Sequence, residues 1–335
     1  MTSPGGTLLM KIAVYSMRSD ERPYFEQIKT QFPVTLAETT KEPSTEDREF
    51  LSGCDGVSIL GQTAISGDLL DMWKECGIQY LSTRTIGYNH IDVAYANKIG
   101  IRVCNASYAP NGVADFTVML MLMCLRNYKQ ALWRGQVNDY SLFGLIGREM
   151  RSLTVGVIGT GRIGQAVLRN LTGFGCRLLA YNAHQRPEVR EIAEYVTLDE
   201  LYRQCDIITI HMPLVESTRH FINSESIRKM KKGVILINCA RGPLADLDAL
   251  IDGIESEKIG ALGLDVVEGE EGITHVDHRI DIISNQKMAY LRQFRNVVMT
   301  QHMAFYTEEA VESMVRSGIL GILEMSRSEK GSTEL

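Results

Sequence analysis

The sequence predicts an α/β protein made of two doubly wound, parallel-sheet domains, on three observations. Its 335 residues exceed the roughly 100 to 200 typical of a single domain. From Lys11 onward, short β-branched runs alternate with amphipathic stretches, the pattern of parallel strands covered by crossover helices. That alternation starts afresh at Thr154.

In the first series, strands are expected over residues 12–16, 34–37, 56–60 and 80–83, with a helix over 21–31. Residues 113–136 read as one extended helix. In the second series, residues 155–158, 178–181, 207–211, 234–238, 261–266 and 297–300 read as buried strands, and helices fill the gaps. Thr197 and Glu200 carry a capping-box signature, and Asp246 is placed to cap the helix bearing Leu247, Leu250 and Ile251. Thr307 is the expected N-cap of a last helix over 308–325. Residues 326–335 read as a frayed tail.

Composition narrows the class. Hydrophobic residues make up 44% and charged residues 23%, which fits a globular protein and excludes disordered and collagenous ones. A net charge of -6 offers no general attraction to nucleic acid or anionic lipid. Seven cysteines without a CxxC pair read as reduced thiols in a cytoplasmic protein. The first residues lack the pattern of a signal peptide, and the longest apolar stretch, 116–125, falls short of the ~20 residues that cross a bilayer. No membrane segment is therefore expected. The loop 268–278 holds Glu268, Glu270, Glu271, His275, Asp277 and His278. It lacks a closed ligand spacing on a rigid element, so it reads as a solvated acidic loop and no metal is expected.

The strongest local motif is Gly159-Thr160-Gly161-Arg162-Ile163-Gly164, between an expected strand and an expected helix. In that context the first glycine permits the tight turn, the second admits a pyrophosphate, and the third lets helix pack on strand. The helix N-terminus adds free amides and partial positive charge. The acidic residue that would bind ribose hydroxyls at the end of the next strand is replaced by Asn182. Asparagine does not repel a 2'-phosphate, and His184 and Arg186 follow closely. The cofactor expectation is thus NAD, with NADP left open.

Three further segments each follow the carboxyl end of an expected strand, the side on which open α/β sheets bind ligands. They are Asn238-Cys239-Ala240-Arg241-Gly242, the run from Gly263 through Asp265 to Glu270, and Thr300-Gln301-His302-Met303-Ala304. An arginine, a carboxylate and a histidine can thereby converge beside a nicotinamide. Singly, each has a plainer reading, as a surface ion pair, a solvated acid and a satisfied interior histidine.

Together and in this order, the stretches YLSTRTIGYNHID, LTVGVIGTGRIGQAV, INCARGPLAD and HMAFYTEEAV resemble the D-isomer-specific 2-hydroxyacid dehydrogenases. The resemblance is greatest to the D-lactate dehydrogenase branch, which includes the glycopeptide-resistance type, and it covers residues 11–325. It implies two Rossmann-like domains with the active site in the cleft between them. Residues 1–107 and 304–335 would form a discontinuous substrate-binding domain, and 108–303 the dinucleotide-binding domain. Arg241, Glu270 and His302 fall on the family's catalytic positions.

The chemistry fits those residue types. A histidine titrates near neutrality and can donate the proton to the substrate oxygen. Glu270 would orient the His302 ring and favour its charged form. Arg241 would grip the carboxylate and polarise the carbonyl. The resemblance also places Ile86 and Gly87 at the substrate carboxylate with Tyr108 nearby, and Asp265 beside the nicotinamide. Met212, Pro213 and Thr218 would lie along the cofactor, near Cys239 and Ala240. It departs from the family at Gln301, where proline usually precedes the histidine, and at Met303. Leu60 stands where several lactate-forming relatives carry tyrosine, and with Phe305 as an apolar wall it would admit bulkier side chains.

The expected reaction is hydride transfer from a nicotinamide to a 2-oxo acid, pyruvate to D-lactate first, with phenylpyruvate or 2-oxoisocaproate as alternatives. A homodimer is implied, with the helix after Asn111 as interface. A nicotinamide-sensing co-repressor shares such a fold, but this chain carries no long basic or disordered extension. A phosphoglycerate or glyoxylate enzyme is a third reading, for which no second basic cluster or added regulatory domain is visible.

Overall fold

β-Branched runs pair only where both faces can be covered, because a buried parallel strand exposes no polar side to water. The computed structural model describes residues 9–61, 63–327 and 331–335, and it divides into two units, Met1–Ala109 with Tyr306–Leu335, and Pro110–Phe305.

The first unit holds β1 (Met10–Val14), β2 (Val34–Glu38), β3 (Gly56–Ile59), β4 (Tyr80–Thr83) and β5 (Arg102–Cys104). They form one parallel sheet in the order β2-β1-β3-β4-β5. The three residues of β5 are too short a run to stand out in sequence. The C-terminal helix Glu308–Arg327 lays Val315, Ile319 and Ile322 against Ile12, Val14 and Phe25. Thr307 accepts from the Ala310 amide at 3.2 Å, as a cap should. Arg84 and Glu21, both 0% exposed, form an ion pair at 2.8 Å. The guanidinium also donates to the Ser58 and Tyr15 carbonyls, at 3.2 and 3.0 Å.

The frayed tail is a correction. Residues 328–330 lie outside the described residues, but 331–335 are docked. Leu335 donates its amide to the Val103 carbonyl at 2.9 Å, Glu334 pairs with Arg102 at 2.7 Å, and Leu335 packs on the apolar core. A strand edge with unpaired backbone groups explains the docking.

The second unit holds β6 (Thr154–Ile158), β7 (Arg177–Tyr181), β8 (Glu194–Tyr195), β9 (Ile207–Ile210), β10 (Val234–Asn238), β11 (Ile259–Leu264) and β12 (Val297–Met299). The parallel order is β12-β11-β10-β9-β6-β7-β8. Strand order reverses between β6 and β9, the switch point where such sheets bind ligands. The register levels the strand ends, since Ile158 pairs with Tyr181 and Ile210, Asn238 with Ile210 and Leu264, and Leu264 with Met299. Gly159, Asn182, His211, Cys239, Asp265 and Thr300 therefore leave the sheet along one edge.

The single helix expected over 113–136 is instead two, Asn111–Leu125 and Tyr128–Gln136. Asn127 sits between them in the left-handed region at φ 49°, a conformation asparagine tolerates better than most residues. The freed Leu125 carbonyl accepts the Arg148 amide at 3.0 Å, and the Asn127 side chain donates to the Ile146 carbonyl at 2.9 Å. The Thr197–Glu200 capping box and the Asp246 cap are both present. All seven cysteines are unpaired, and those at 54, 104, 124, 205 and 239 are buried. Among the described residues no helix is long and apolar enough to cross a membrane.

Candidate active site

The glycine-rich turn leaves β6 at the switch point. Gly159 has φ +92°, and a Cβ there would strike the His211 carbonyl. A Cβ on Gly164 would strike the Gly159 carbonyl, whereas one on Gly161 would meet nothing within 4 Å. The turn is thus closed on its protein side and open where Gly161 starts the eleven-residue helix Arg162–Thr172. Helix N-terminal amides have no intrahelical partner, so this opening suits a pyrophosphate. Arg162 is exposed and Ile163 half-buried.

Asn182 is engaged within the protein. Its Oδ1 accepts the Thr160 amide at 3.1 Å and its Nδ2 donates to the His184 carbonyl at 2.6 Å, so it holds the turn from the neighbouring strand. Tyr195, which the sequence reading passed over, does the same. Its hydroxyl meets Thr160 Oγ1 at 2.7 Å and accepts the Arg186 amide at 3.0 Å. After β9, Met212 is half-buried and Pro213 exposed. The Thr218 hydroxyl donates to the Pro213 carbonyl at 2.8 Å and accepts the Val215 amide at 2.8 Å, shaping its own loop. Burial lowers the His211 imidazole to about 3, so the ring is neutral near pH 7.

Arg241 is presented by a turn that Asn238 builds. The Asn238 side chain, 2% exposed, accepts the Ala240 amide at 3.0 Å and donates to the Arg241 carbonyl at 2.9 Å. Gly242 has no room for a Cβ because the Val267 backbone lies against it. The arginine turn is thereby pressed onto the segment leading to Glu270. Arg241 Nη1 donates to the Ala240 carbonyl at 2.6 Å; among the described residues it has no carboxylate partner. Cys239 is buried beside it, and desolvation pushes its thiol up to about 12.

Glu270 and His302 meet directly, with His302 Nδ1 2.7 Å from Glu270 Oε1. The other carboxylate oxygen accepts the Val267 amide at 2.8 Å, fixing the acid from behind. His302 Nε2 has no hydrogen-bond partner among the described residues. His302 itself is left-handed, at φ 55°. Asp265, 1% exposed, accepts Thr300 Oγ1 at 2.6 Å and the amides of Met303 and Ala304 at 2.9 and 2.8 Å. The carboxylate of Asp265, a residue the family resemblance places beside the nicotinamide, also braces the segment that presents His302.

The acidic loop is largely exposed, at Glu271, His275 and Asp277 among others, and it also touches the site. Its His275 Nε2 lies 3.0 Å from the His302 carbonyl, with ring centroids 6.0 Å from His302 and 6.3 Å from Phe305. Phe305 stands edge-on to His302 at 6.4 Å. Glu268 pairs with His220 at 2.8 Å and with Arg219, tying the loop after β9 to the one carrying Glu270. No sequence signal marks the contacts of His275 and Glu268, because their partners are 27 to 49 residues away.

In the first unit, Leu60 follows β3 and is 5% exposed. Ile86 and Gly87 follow β4. Their carbonyls accept from Asn105 Nδ2 and Thr85 Oγ1, each at 2.7 Å, while their amides donate to no described residue. Two free amides in a braced loop suit an incoming carboxylate. Tyr108 is half-buried.

A family model described as D-isomer specific 2-hydroxyacid dehydrogenase, NAD binding domain, matches residues 118–304. The chain is 42% identical to an aromatic 2-oxoacid reductase of Clostridium sporogenes, over 94% of this chain and 96% of that protein. It is 38% identical to a D-specific alpha-keto acid dehydrogenase of Enterococcus faecium, over 95% and 98% of the two chains. Among solved structures it matches a D-2-hydroxyisocaproate dehydrogenase with a TM-score of 0.88 at 32% identity, covering 97% of this chain and 99% of that one. A D-lactate dehydrogenase of Treponema pallidum matches equally, at 0.88 and 30% identity, over 97% and 99%.

Proposed function

The chain belongs to the D-isomer-specific 2-hydroxyacid dehydrogenases, and from that premise we propose which residues carry its reduction of a 2-oxo acid to the D-2-hydroxy acid. The unit Pro110–Phe305 binds the nicotinamide dinucleotide and the other binds the acid. When bound, the reduced nicotinamide supplies the hydride to the carbonyl carbon. His302 delivers the proton to the carbonyl oxygen from Nε2, and Glu270 holds the ring by Nδ1. Arg241 binds the substrate carboxylate and stabilises charge growing on the oxygen. In the acid-binding unit, the amides of Ile86 and Gly87 are the groups that suit a carboxylate. The Glu270–His302 pair, with Nε2 left over for substrate, is the observation that carries this reading.

Among 2-oxo acids we place those with bulky apolar side chains, phenylpyruvate or 2-oxoisocaproate, ahead of pyruvate. Phe305, half-buried beside His302, offers apolar surface, and a relative at 42% identity is an aromatic 2-oxoacid reductase. NADH is the cofactor, and NADPH is also accepted, since Asn182 presents no negative charge to a 2'-phosphate. Initial rates with NADH and NADPH against these three acids, and chiral analysis of the product, test the reading. A ratio favouring pyruvate overturns the substrate order, and an L-product overturns the stereochemistry.

A second copy of this chain covers the helices Asn111–Leu125 and Tyr128–Gln136. Beside them lies a cavity of about 900 Å³ lined by Val118, Met119, Leu122, Leu142, Leu145 and Phe174. Trp133, Phe143 and Ile146 are 65%, 88% and 91% exposed, and large apolar side chains left to water on this segment support a contact surface. Sedimentation should give a dimer, and a charged substitution at Phe143 should yield monomer. The unpaired thiols support a cytoplasmic location.

A further inference from the structure

We propose that His275 is a positioning residue for His302, an inference that rests on reading His302 as the proton donor. His302 has a backbone at φ 55°, which a side chain with a Cβ adopts only where its surroundings over-determine it. Those surroundings are unequal on the two sides of the residue. The amides that follow, of Met303 and Ala304, are both fixed on Asp265. The residue before, Gln301, is exposed. Among the described residues the His302 carbonyl has one donor, the His275 ring at 3.0 Å. A carbonyl only accepts, so Nε2 of His275 carries the hydrogen.

One short segment therefore holds the acid at two points. Residues 270–275 curl tightly, with the Ile273 and Thr274 amides donating to the Glu270 carbonyl at 2.9 and 3.1 Å. His275 is itself left-handed at φ 65°, which turns its ring back toward residue 302. Glu270 grips the His302 ring at Nδ1, and His275 grips the His302 main chain. Fixing both the ring and the carbonyl sets the direction in which Nε2 points. Proton delivery depends steeply on that direction, because small misplacements of a reacting group cost large factors in rate. The His275 ring also packs near Phe305, so substitution must separate the donor from the ring.

The experiment compares His275→Phe, which keeps an aromatic ring and loses the donor, with His275→Gln, which keeps an N–H near the same place. Hydride transfer is followed as loss of reduced-cofactor absorbance with phenylpyruvate, and His302 is observed in parallel by NMR of the 15N-histidine-labelled protein. The expected result is a fall of about tenfold or more in the transfer rate for Phe, with the KM for cofactor unchanged, and only about threefold for Gln. The His302 ring signals should move in Phe and stay close to native in Gln. Native rate and native signals in the Phe variant overturn the proposal, as do equal losses in both variants. Should the native protein turn over no 2-oxo acid, the dehydrogenase reading falls instead. The NMR comparison then still decides whether His275 holds His302.

Discussion

Asp265 accepts the Ala304 amide at 2.8 Å across 39 positions of sequence, so a buried carboxylate at the end of β11 anchors the segment that presents His302. With Thr300 and Met303 on its other oxygen, it replaces water entirely with protein donors. A buried carboxylate is tolerable only when so satisfied.

Replacing Asp265 with asparagine keeps one acceptor and turns the other into a donor facing the Ala304 amide. The variant should lose about 1–3 kcal/mol, the cost of an unsatisfied buried group. It should also lose hydride-transfer rate beyond what its folded fraction explains. Thermal unfolding and single-turnover absorbance check the two effects. Native stability with a native rate would remove Asp265 from the framework.

Arg84 and Glu21 predict a second stability effect, confined to the first unit. Arg84→Met alone leaves Glu21 buried without its partner, costing about 3–5 kcal/mol. Adding Glu21→Leu should recover part of that loss, since an apolar pair needs no compensation. Urea unfolding of both variants reads the difference, and a double variant weaker than the single one would contradict it.

His211 sets a pH dependence of stability. Its folded value, lowered to about 3 by burial, lies below the ~6.5 of an unfolded imidazole. The unfolded chain therefore takes up a proton that the folded one refuses. The stabilising contribution is complete above pH 6.5 and is lost as pH falls toward 3, at up to about 1.4 kcal/mol per pH unit. Unfolding midpoints of the native protein and of His211→Gln, measured between pH 7 and 4, should converge as pH falls.

Cofactor choice tests the site from the other end. Asn182→Asp adds a charge where a 2'-phosphate would lie. The NADH-to-NADPH ratio of kcat/KM should rise about tenfold or more, since each tenfold step needs only ~1.4 kcal/mol of repulsion. An unchanged ratio would mean that the ribose binds elsewhere.

Much of this was legible in the sequence because parallel strands and glycine turns are local signals. The runs ending at Ile158, Ile210, Asn238 and Leu264 announce themselves by β-branched composition, and the glycines at 159 and 164 by their spacing. Their site residues follow from the strand ends. What stayed hidden depends on distant partners. Arg126 and Asn127 carry no glycine or proline, so the helix break shows only through the Arg148 amide and the Ile146 carbonyl. The tail reads as polar until Arg102 and the Val103 carbonyl receive it. His275 looks like one polar residue among many until the chain returns 27 residues later with a carbonyl at its ring.

The measurement that bears most directly on His302 as proton donor is the single-turnover rate of cofactor oxidation with phenylpyruvate, for the native protein and for His302→Gln. The variant should lose about 10²-fold or more in rate, with cofactor binding retained. A variant that keeps a rate within a few-fold of native would contradict the assignment.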